Sequence, residues 1–156
     1  MATLTVTLTE ELELNGRERG SELQLSIGSV TQAFHRIITC PANQDSTIAT
    51  FQTAVHTTDG AVDLEDAKYI RVTNLDTTNE VVLSLQISND EDGAADASTS
   101  LLLAAGRSFI MGAPHEGIAC ADNAATIITD TALHDLESLL VDPKGNAVSI
   151  EVFIAS

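Results

Sequence analysis

The chain has 156 residues, and its 23 acidic and 7 basic side chains give it a net charge of −16. Binding to nucleic acid or to an anionic membrane needs clusters of Lys and Arg, so this charge argues against both partners. The sequence has no Trp and only 3% aromatic residues, which argues against sites that stack sugars or single-stranded bases, whereas 44% apolar residues predict a folded chain.

The N-terminal residues predict a β-hairpin. Apolar and polar side chains alternate through residues 3–14 and again through residues 22–27, which is the pattern of strands with one buried face. Asn15-Gly16 supplies turn residues between the two runs, and Arg17 and Arg19 lie at the predicted tip.

Two strands and one helical turn are predicted in the next segment. Apolar residues run through 34–39 until Pro41 ends the run, and residues 48–55 are rich in Thr and apolar side chains, as strands are. Residues 63–67 are interpreted as one turn of helix.

A second hairpin is predicted in residues 69–88, YIRVTNLDTTNEVVLSLQIS. Residues 69–72 and 81–87 alternate between apolar and polar side chains, and residues 74–79 between them are mostly Asn, Asp and Thr. Short polar side chains of this kind bond to nearby backbone in turns. The centre is therefore interpreted as a turn that needs no binding or catalytic purpose.

The C-terminal part continues the β pattern. Residues 101–103 and 108–111 predict two short strands, or one strand bent at Gly106, and further strands are predicted at 126–129, 139–141 and 148–154. Residues 112–125 read as irregular, 133–136 as one helical turn, and 142–146 as a type I turn with Pro at its second position.

About eight to ten short strands without a long helix predict an all-β protein. The expected fold is a single antiparallel β-sandwich, jelly-roll-like, that occupies residues 1–156 as one domain. Residues 1–14 are expected to be an extended N-terminal arm or an edge strand. Such an arm suggests a further hypothesis, namely that Thr5, Thr7 and their neighbours add a strand to the sheet edge of another subunit.

The acidic loop at residues 89–100 contains the candidate metal ligands Asp90, Asp92 and Asp96, because spaced carboxylates beside Gly93 suit a hard cation such as calcium. Alignment with a helix-loop-helix calcium loop, however, leaves both anchoring carboxylates missing. A solvated acidic loop is the favoured interpretation, and no metal or other cofactor is expected.

Other titratable groups suggest weaker candidates. His115, Glu116, Cys120 and Asp122 lie close in sequence but lack complete zinc-ligand spacing. His35 is expected to be a structural or exposed strand residue rather than a proton-transfer group.

Sequence motifs give no support for catalysis. The chain contains none of GxSxG, HExxH, GxxxxGK or GxGxxG, so no catalytic residue is predicted and the protein is not expected to be an enzyme. Cys40 and Cys120 are expected to be buried thiols, with a disulfide between them as the alternative.

The few basic residues point to contacts. Arg71 lies on a predicted strand and Arg107 follows Gly106. In so acidic a protein, an isolated Arg on a strand pairs with a carboxylate either within the chain or across a subunit interface. Both are therefore candidate interface residues.

The segments KYIRVTNLDTTNEVVLSLQIS, LLLAAGRSFIMG and AVSIEVFIAS resemble small virion structural proteins of tailed bacteriophages, particularly those of marine and cyanobacterial hosts. The resemblance covers about half of the chain, from Ala67 onward. It implies a non-enzymatic β-sandwich subunit, either a head-decorating (cement) protein or a component of the tail or its fibres.

These inferences lead to the expectation of a capsid decoration protein, which is made in the cytoplasm of the host bacterium and carried on the virion surface. Its expected partners are the major capsid protein or other virion proteins, and copies of itself in a trimer. A tail or tail-fibre component is one alternative, and a small ligand-binding module or enzyme is another.

Overall fold

The computed structural model describes residues 1–52, 60–63, 65–88, 97–114, 117–118 and 133–156. By their contacts, these residues form two compact units, Met1–Gln32 and Ala33–Ser156. The regular secondary structure of the described residues consists of strands, so the all-β prediction is confirmed. The prediction of one domain over residues 1–156 stays a prediction.

The first unit is a twisted pair of strands, here called the N-terminal ribbon. Strand β1 (Ala2–Glu10) pairs antiparallel with β4 (Ser21–Val30), and β2 (Glu13–Leu14) pairs with β3 (Arg17–Glu18) at the tip. Asn15 and Gly16 have φ of 53° and 69°, as a two-residue type I′ turn requires. The predicted N-terminal hairpin and its turn are confirmed.

The second unit contains nine strands: β5 (Ala33–Cys40), β6 (Ser46–Gln52), β7 (Val62–Asp63), β8 (Tyr69–Asn74), β9 (Val81–Ser88), β10 (Ala97–Leu103), β11 (Ser108–Gly112), β12 (Asp135–Asp142) and β13 (Val148–Ala155). They form two sheets, in the orders β10-β9-β12-β6-β7 and β11-β8-β13-β5. Among the strands that the structure describes, the short β6–β7 pair is the parallel one and the others pair antiparallel.

The pairing of these strands is nested. The first and last strands, β5 and β13, are neighbours in one sheet, and the next pair inward, β6 and β12, are neighbours in the other. Strands β8 and β11 then pair in the first sheet, and β9 and β10 in the second. A folded-back chain rolled up in this way is a jelly roll, as the sequence predicts.

A single apolar core lies within this second unit. Alternate residues of the central strands face it, and many of them have no exposed surface, including Ile70, Val72, Leu83, Leu139 and Ile150. Each such side chain contributes about 1.5–3 kcal/mol by leaving water. The alternation at residues 148–154 and 81–87 therefore does correspond to strands with one buried face.

The predicted hairpin of residues 69–88 is wrong in its pairing. Its two strands exist as β8 and β9, but they belong to different sheets. Strand β8 pairs with β11 and β13, and β9 pairs with β10 and β12. The polar residues between them connect the two sheets, and a six-residue connection is longer than most hairpin turns.

Both predicted helical turns are also wrong. Val62–Asp63 forms β7 against Phe51–Gln52, and the Asp63 carboxylate accepts the Glu65 backbone N–H at 3.1 Å, which is a local Asx turn. Farther along, His134 forms a bridge with Ile118, and the chain then enters β12 at Asp135. Sheet pairing thus outweighs local helix preference.

Two turn predictions have mixed outcomes. Gly106, with φ of 66°, separates the two strands β10 and β11, which lie in different sheets, so the alternative of one bent strand is wrong. The turn near Pro143 is not type I, because Lys144 has φ of 55°.

Three further predictions lie wholly or partly outside the described residues. They are the strand at 126–129, most of the irregular segment 112–125, and the end of the strand at 48–55.

Candidate interaction surfaces

Arg71 and Glu151 are paired on the outward face of the β11-β8-β13-β5 sheet. Arg71 Nη1 donates to Glu151 Oε2 at 2.6 Å and to Thr73 Oγ1 at 2.6 Å. His35 Nε2 lies 2.8 Å from the other carboxylate oxygen, Glu151 Oε1. These contacts, with Arg71 the stronger, lower the pKa of Glu151. Arg71 thus has an intrachain partner, the first of the two alternatives that the sequence left open.

The same outward face carries further polar contacts. Thr73 Oγ1 lies 2.9 Å from Ser108 Oγ, so the Ser108 hydroxyl contacts a threonine and not His35. The His35 ring meets Phe153 edge to face, with centroids 5.9 Å apart. His35 therefore has structural partners on an exposed strand, in agreement with the sequence interpretation.

The connection between the two sheets is held by Asn74, whose side chain is fully buried. Its Nδ2 donates to the backbone oxygens of Asn79 at 2.9 Å and Leu103 at 3.2 Å, and its Oδ1 accepts the Asp76 N–H at 3.0 Å. All the polar positions of this amide thus join segments of the chain to one another. Asn74 fixes the path between the sheets.

Asp76 organises the rest of this connection. Its Oδ1 accepts the backbone N–H of Thr78 at 2.8 Å and of Asn79 at 2.7 Å, and it also accepts from both of their side chains. These bonds to the charged form, led by the Asn79 and Thr78 backbones, lower the pKa of Asp76 to about 2. The contacts support the interpretation of residues 74–79 as a structural connection.

Arg107 and the ribbon threonines remain available for contacts. The Arg107 side chain is exposed and makes no ion pair within the described parts of the chain, while its backbone oxygen accepts the Asn74 N–H at 2.9 Å. Thr5 and Thr7 lie opposite Ser26 and Gln24 on the polar face of the ribbon. The hypothesis that they add a strand to another subunit stays a prediction, and within the ribbon β1 already pairs with β4.

The outward face of the β10-β9-β12-β6 strands has a different chemistry. Strands β6, β9 and β10 contain no charged residue, although the whole chain has 23 acids. The register of these strands and of β12, which lies between β9 and β6, brings uncharged side chains together on what is here called the serine-rich face: Thr50, Ser84, Gln86, Ser100, Leu102, Ser138 and Leu140. Asp142 of β12 lies at one end of this face, opposite Val82.

Contacts on the serine-rich face are short and local. Ser100 Oγ donates to Ser84 Oγ at 3.0 Å, and Gln86 Nε2 donates to the same oxygen at 2.8 Å. Leu102 is 56% exposed at the edge of the sheet. A face with exposed aliphatic area and few charges costs little to remove from water, which is what the buried part of a protein interface requires.

The sequence-predicted metal candidates Asp90, Asp92 and Asp96 lie outside the described residues, as do His115, Glu116, Cys120 and Asp122. In the parts of the chain that are described, no three His, Cys, Asp or Glu side chains are grouped so as to hold a metal ion. Cys40 is buried, and burial raises the pKa of its thiol. None of the described residues forms a helix that is long and apolar enough to cross a membrane.

Sequence reasoning missed Glu151 and the serine-rich face. The alternation of residues 148–154 already placed Glu151 opposite the buried side chains, but its partner depends on the order of strands. The absence of charge from β6, β9 and β10 was readable in the sequence. This absence became informative only when the strand order placed those three strands in one sheet.

The chain matches no protein-family model and no curated protein. Among solved structures it is similar to a chain of the Bacillus endospore appendages, which form a novel family of disulfide-linked pili. The TM-score is 0.37 and the identity 13%, over 84% of this chain and 93% of that chain.

Proposed function

We propose that this protein is a non-enzymatic structural subunit of a tailed-phage virion, and that it is a capsid decoration protein. In this role it binds at junctions between major capsid subunits and stabilises the shell. Its place is the outer surface of the virion, and it is made in the host cytoplasm. The sequence resemblance in residues 67–156 suggests the virion, and the uneven distribution of charge supports a role in adhesion.

The single observation that carries the proposal is the serine-rich face. A chain with a net charge of −16 is repelled by other acidic surfaces, and contact through its charged side chains would require them to lose water. The strands β6, β9 and β10 nevertheless carry no charged side chain, whereas β12, which lies between β9 and β6, carries Glu137 at a bulge and Asp142 opposite Val82. Leu102 lies exposed at the edge of this sheet. The proposal assigns this face to the shell and the charged loops to the solvent.

Polar contacts on the other outward face fit the same orientation. There Arg71 and His35 already share the two oxygens of Glu151, so these groups are engaged within the chain. A face whose charges are paired internally offers fewer unsatisfied groups to a partner than an unpaired set would. We therefore assign shell binding to the serine-rich face rather than to the Arg71 face.

Two matched variants test the proposal. Leu102→Asp places a charge on the serine-rich face, and Ile37→Asp places the same charge on the opposite outward face. Both residues are exposed, at 56% and 64%, and both lie on edge strands, β10 and β5. The measurement is cosedimentation of each purified variant with phage heads that lack the protein.

We expect Leu102→Asp to weaken binding to heads by about tenfold or more, which corresponds to about 1.4 kcal/mol. Ile37→Asp should bind as the unmodified protein does. Loss of binding by Ile37→Asp alone would assign the contact to the other face. Absence of binding by the unmodified protein would contradict the decoration role.

A further inference from the structure

The N-terminal ribbon has one apolar face along its whole stem. Three pairs of aliphatic side chains lie directly opposite each other across β1 and β4 and form what is here called the apolar ladder: Leu4 with Ile27, Val6 with Leu25, and Leu8 with Leu23. The intervening pairs, Thr5 with Ser26 and Thr7 with Gln24, lie on the other face. Because neighbours along a strand point to opposite sides, the ribbon is sharply two-faced.

Three of the six side chains of the apolar ladder are exposed, and Leu4, Val6 and Ile27 are half-buried. Leu8, Leu23 and Leu25 are 43%, 65% and 45% exposed. A two-stranded hairpin is marginally stable in water on its own and normally needs its apolar face to be covered. A contiguous apolar patch of this kind marks an interaction surface.

The charges of the ribbon indicate what covers the ladder. All seven charged residues of Met1–Gln32 lie at or near the tip: Glu10, Glu11, Glu13, Arg17, Glu18, Arg19 and Glu22. The stem at residues 2–9 and 23–32 carries none. A cationic partner would be matched by acids along the ladder, whereas Glu10, at the tip end next to the Leu8–Leu23 pair, is the one acid of β1 and β4 on that face. The stem also has none of the Lys, Arg, Trp or Tyr side chains that anchor elements at a lipid surface.

A second copy of this chain fits the stem. Copies with a net charge of −16 repel each other over most of their surface, and the repulsion is least where charge is absent. Leu, Val and Ile on one ladder are also complementary to the same side chains on another, as a self-associating interface requires. The uncharged stem is therefore a place where two copies can meet at low electrostatic cost.

We propose that the N-terminal ribbon is the element through which copies of this protein associate, with the apolar ladder of one copy packed against the ladder of another. This inference deepens the proposed function, on which it rests for its purpose, by naming the surface that builds the oligomer. Its evidence is the pairing, exposure and charge of the ribbon residues alone.

The test is the solution mass of the full-length protein, measured by light scattering over a range of concentrations. The unmodified protein should have a mass two or three times 16.4 kDa. Leu25→Asp, which places a charge in the ladder, should have the monomer mass. Gln24→Asp is the matched control, because it adds the same charge to the same strand on the opposite face, and it should retain the oligomer.

Salt gives a second readout. Association of like-charged copies should strengthen as sodium chloride is raised from 0.05 to 0.5 M, because the ions screen their repulsion. Hydrogen exchange over residues 2–30 reports whether the ribbon survives in Leu25→Asp. If Leu25→Asp unfolds the ribbon, Leu25→Thr is the variant to compare. Thr favours strands but removes most of the apolar contact of Leu25, so Leu25→Thr should weaken association at least about tenfold.

Three results would overturn the inference. The first is a monomer mass for the unmodified protein at every concentration and salt. The second is an oligomer that Leu25→Asp and Leu25→Thr leave intact, since it would be held elsewhere. The third is a monomer whose ladder is needed only for binding to heads, which would make the occupant a shell protein. This test uses isolated protein, whereas the test of the decoration role uses phage heads. Failure of the ribbon inference therefore does not change how the head-binding result is interpreted.

Discussion

Arg71 Nη1 and Glu151 Oε2 lie 2.6 Å apart, although 80 residues separate them in the chain. The two residues are diagonal neighbours on β8 and β13, because Arg71 lies opposite Phe153 and Thr73 lies opposite Glu151. This pair joins the last strand of the jelly roll to the strand beside it. The stabilising role of such a contact is open to measurement.

Arg71→Met should lower the free energy of unfolding by about 1 kcal/mol, because it removes the two charge-assisted hydrogen bonds of Nη1 but keeps an aliphatic stem. The loss is small because the two side chains are 30% and 20% exposed, so solvent partly screens their attraction. Urea denaturation measures the change. Arg107→Met is the control and should change stability by less than about 0.5 kcal/mol. Equal losses in both variants would show that the Glu151 pair contributes nothing specific.

Asp76 should make stability depend on pH in the acid range. Its pKa in the folded protein is about 2, whereas an unfolded Asp has a value of about 3.9. The unfolded state therefore binds more protons between these values, and the stabilisation, fully present above about pH 4, is lost as the pH falls toward 2.

Asp76→Asn isolates the charge, because an amide oxygen still accepts hydrogen bonds at the position of Oδ1. The variant should unfold at lower urea than the unmodified protein at pH 7, and the two midpoints should converge near pH 2. A difference between the midpoints that is the same at both pH values would contradict the assignment of this acid dependence to Asp76.

The ribbon tip depends on Gly20. A Cβ at this position would lie 1.9 Å from the backbone oxygen of Glu10, so the chain would have to shift. Glu18 Oε1 also accepts the Gly20 N–H at 2.6 Å and the Arg19 N–H at 3.0 Å, which ties the tip together.

Gly20→Ala should therefore increase hydrogen exchange in residues 2–30, while residues 33–156 stay protected. Gly28→Ala is the control, since nothing lies within 4 Å of a Cβ built there, and it should leave exchange in the ribbon nearly unchanged. If Gly20→Ala left the ribbon fully protected, the close approach to Glu10 would have no structural importance.

Local patterns predicted elements well where one face of a strand is buried. The alternation in residues 148–154 and 81–87 corresponds to β13 and β9, and Asn15-Gly16 forms the expected two-residue turn. These features depend on neighbours in sequence. The burial of alternate side chains and the positive φ of a type I′ turn are both determined by short segments of sequence.

Strand partners could not be read in the same way. Residues 69–74 pair with β11 and β13 rather than with the next strand, because a jelly roll pairs strands from distant parts of the chain. The link between Arg71 and Glu151 follows from that order. So does the serine-rich face, which exists only because β9 lies between β10 and β12.

The most direct test of the proposed role is the number of copies of this protein per purified phage particle, measured by quantitative mass spectrometry against the major capsid protein. A decoration protein that binds at repeated shell junctions should be present at a copy number close to that of the major capsid protein or a simple fraction of it. A few copies per particle would favour a tail component, and absence from particles would contradict a virion role.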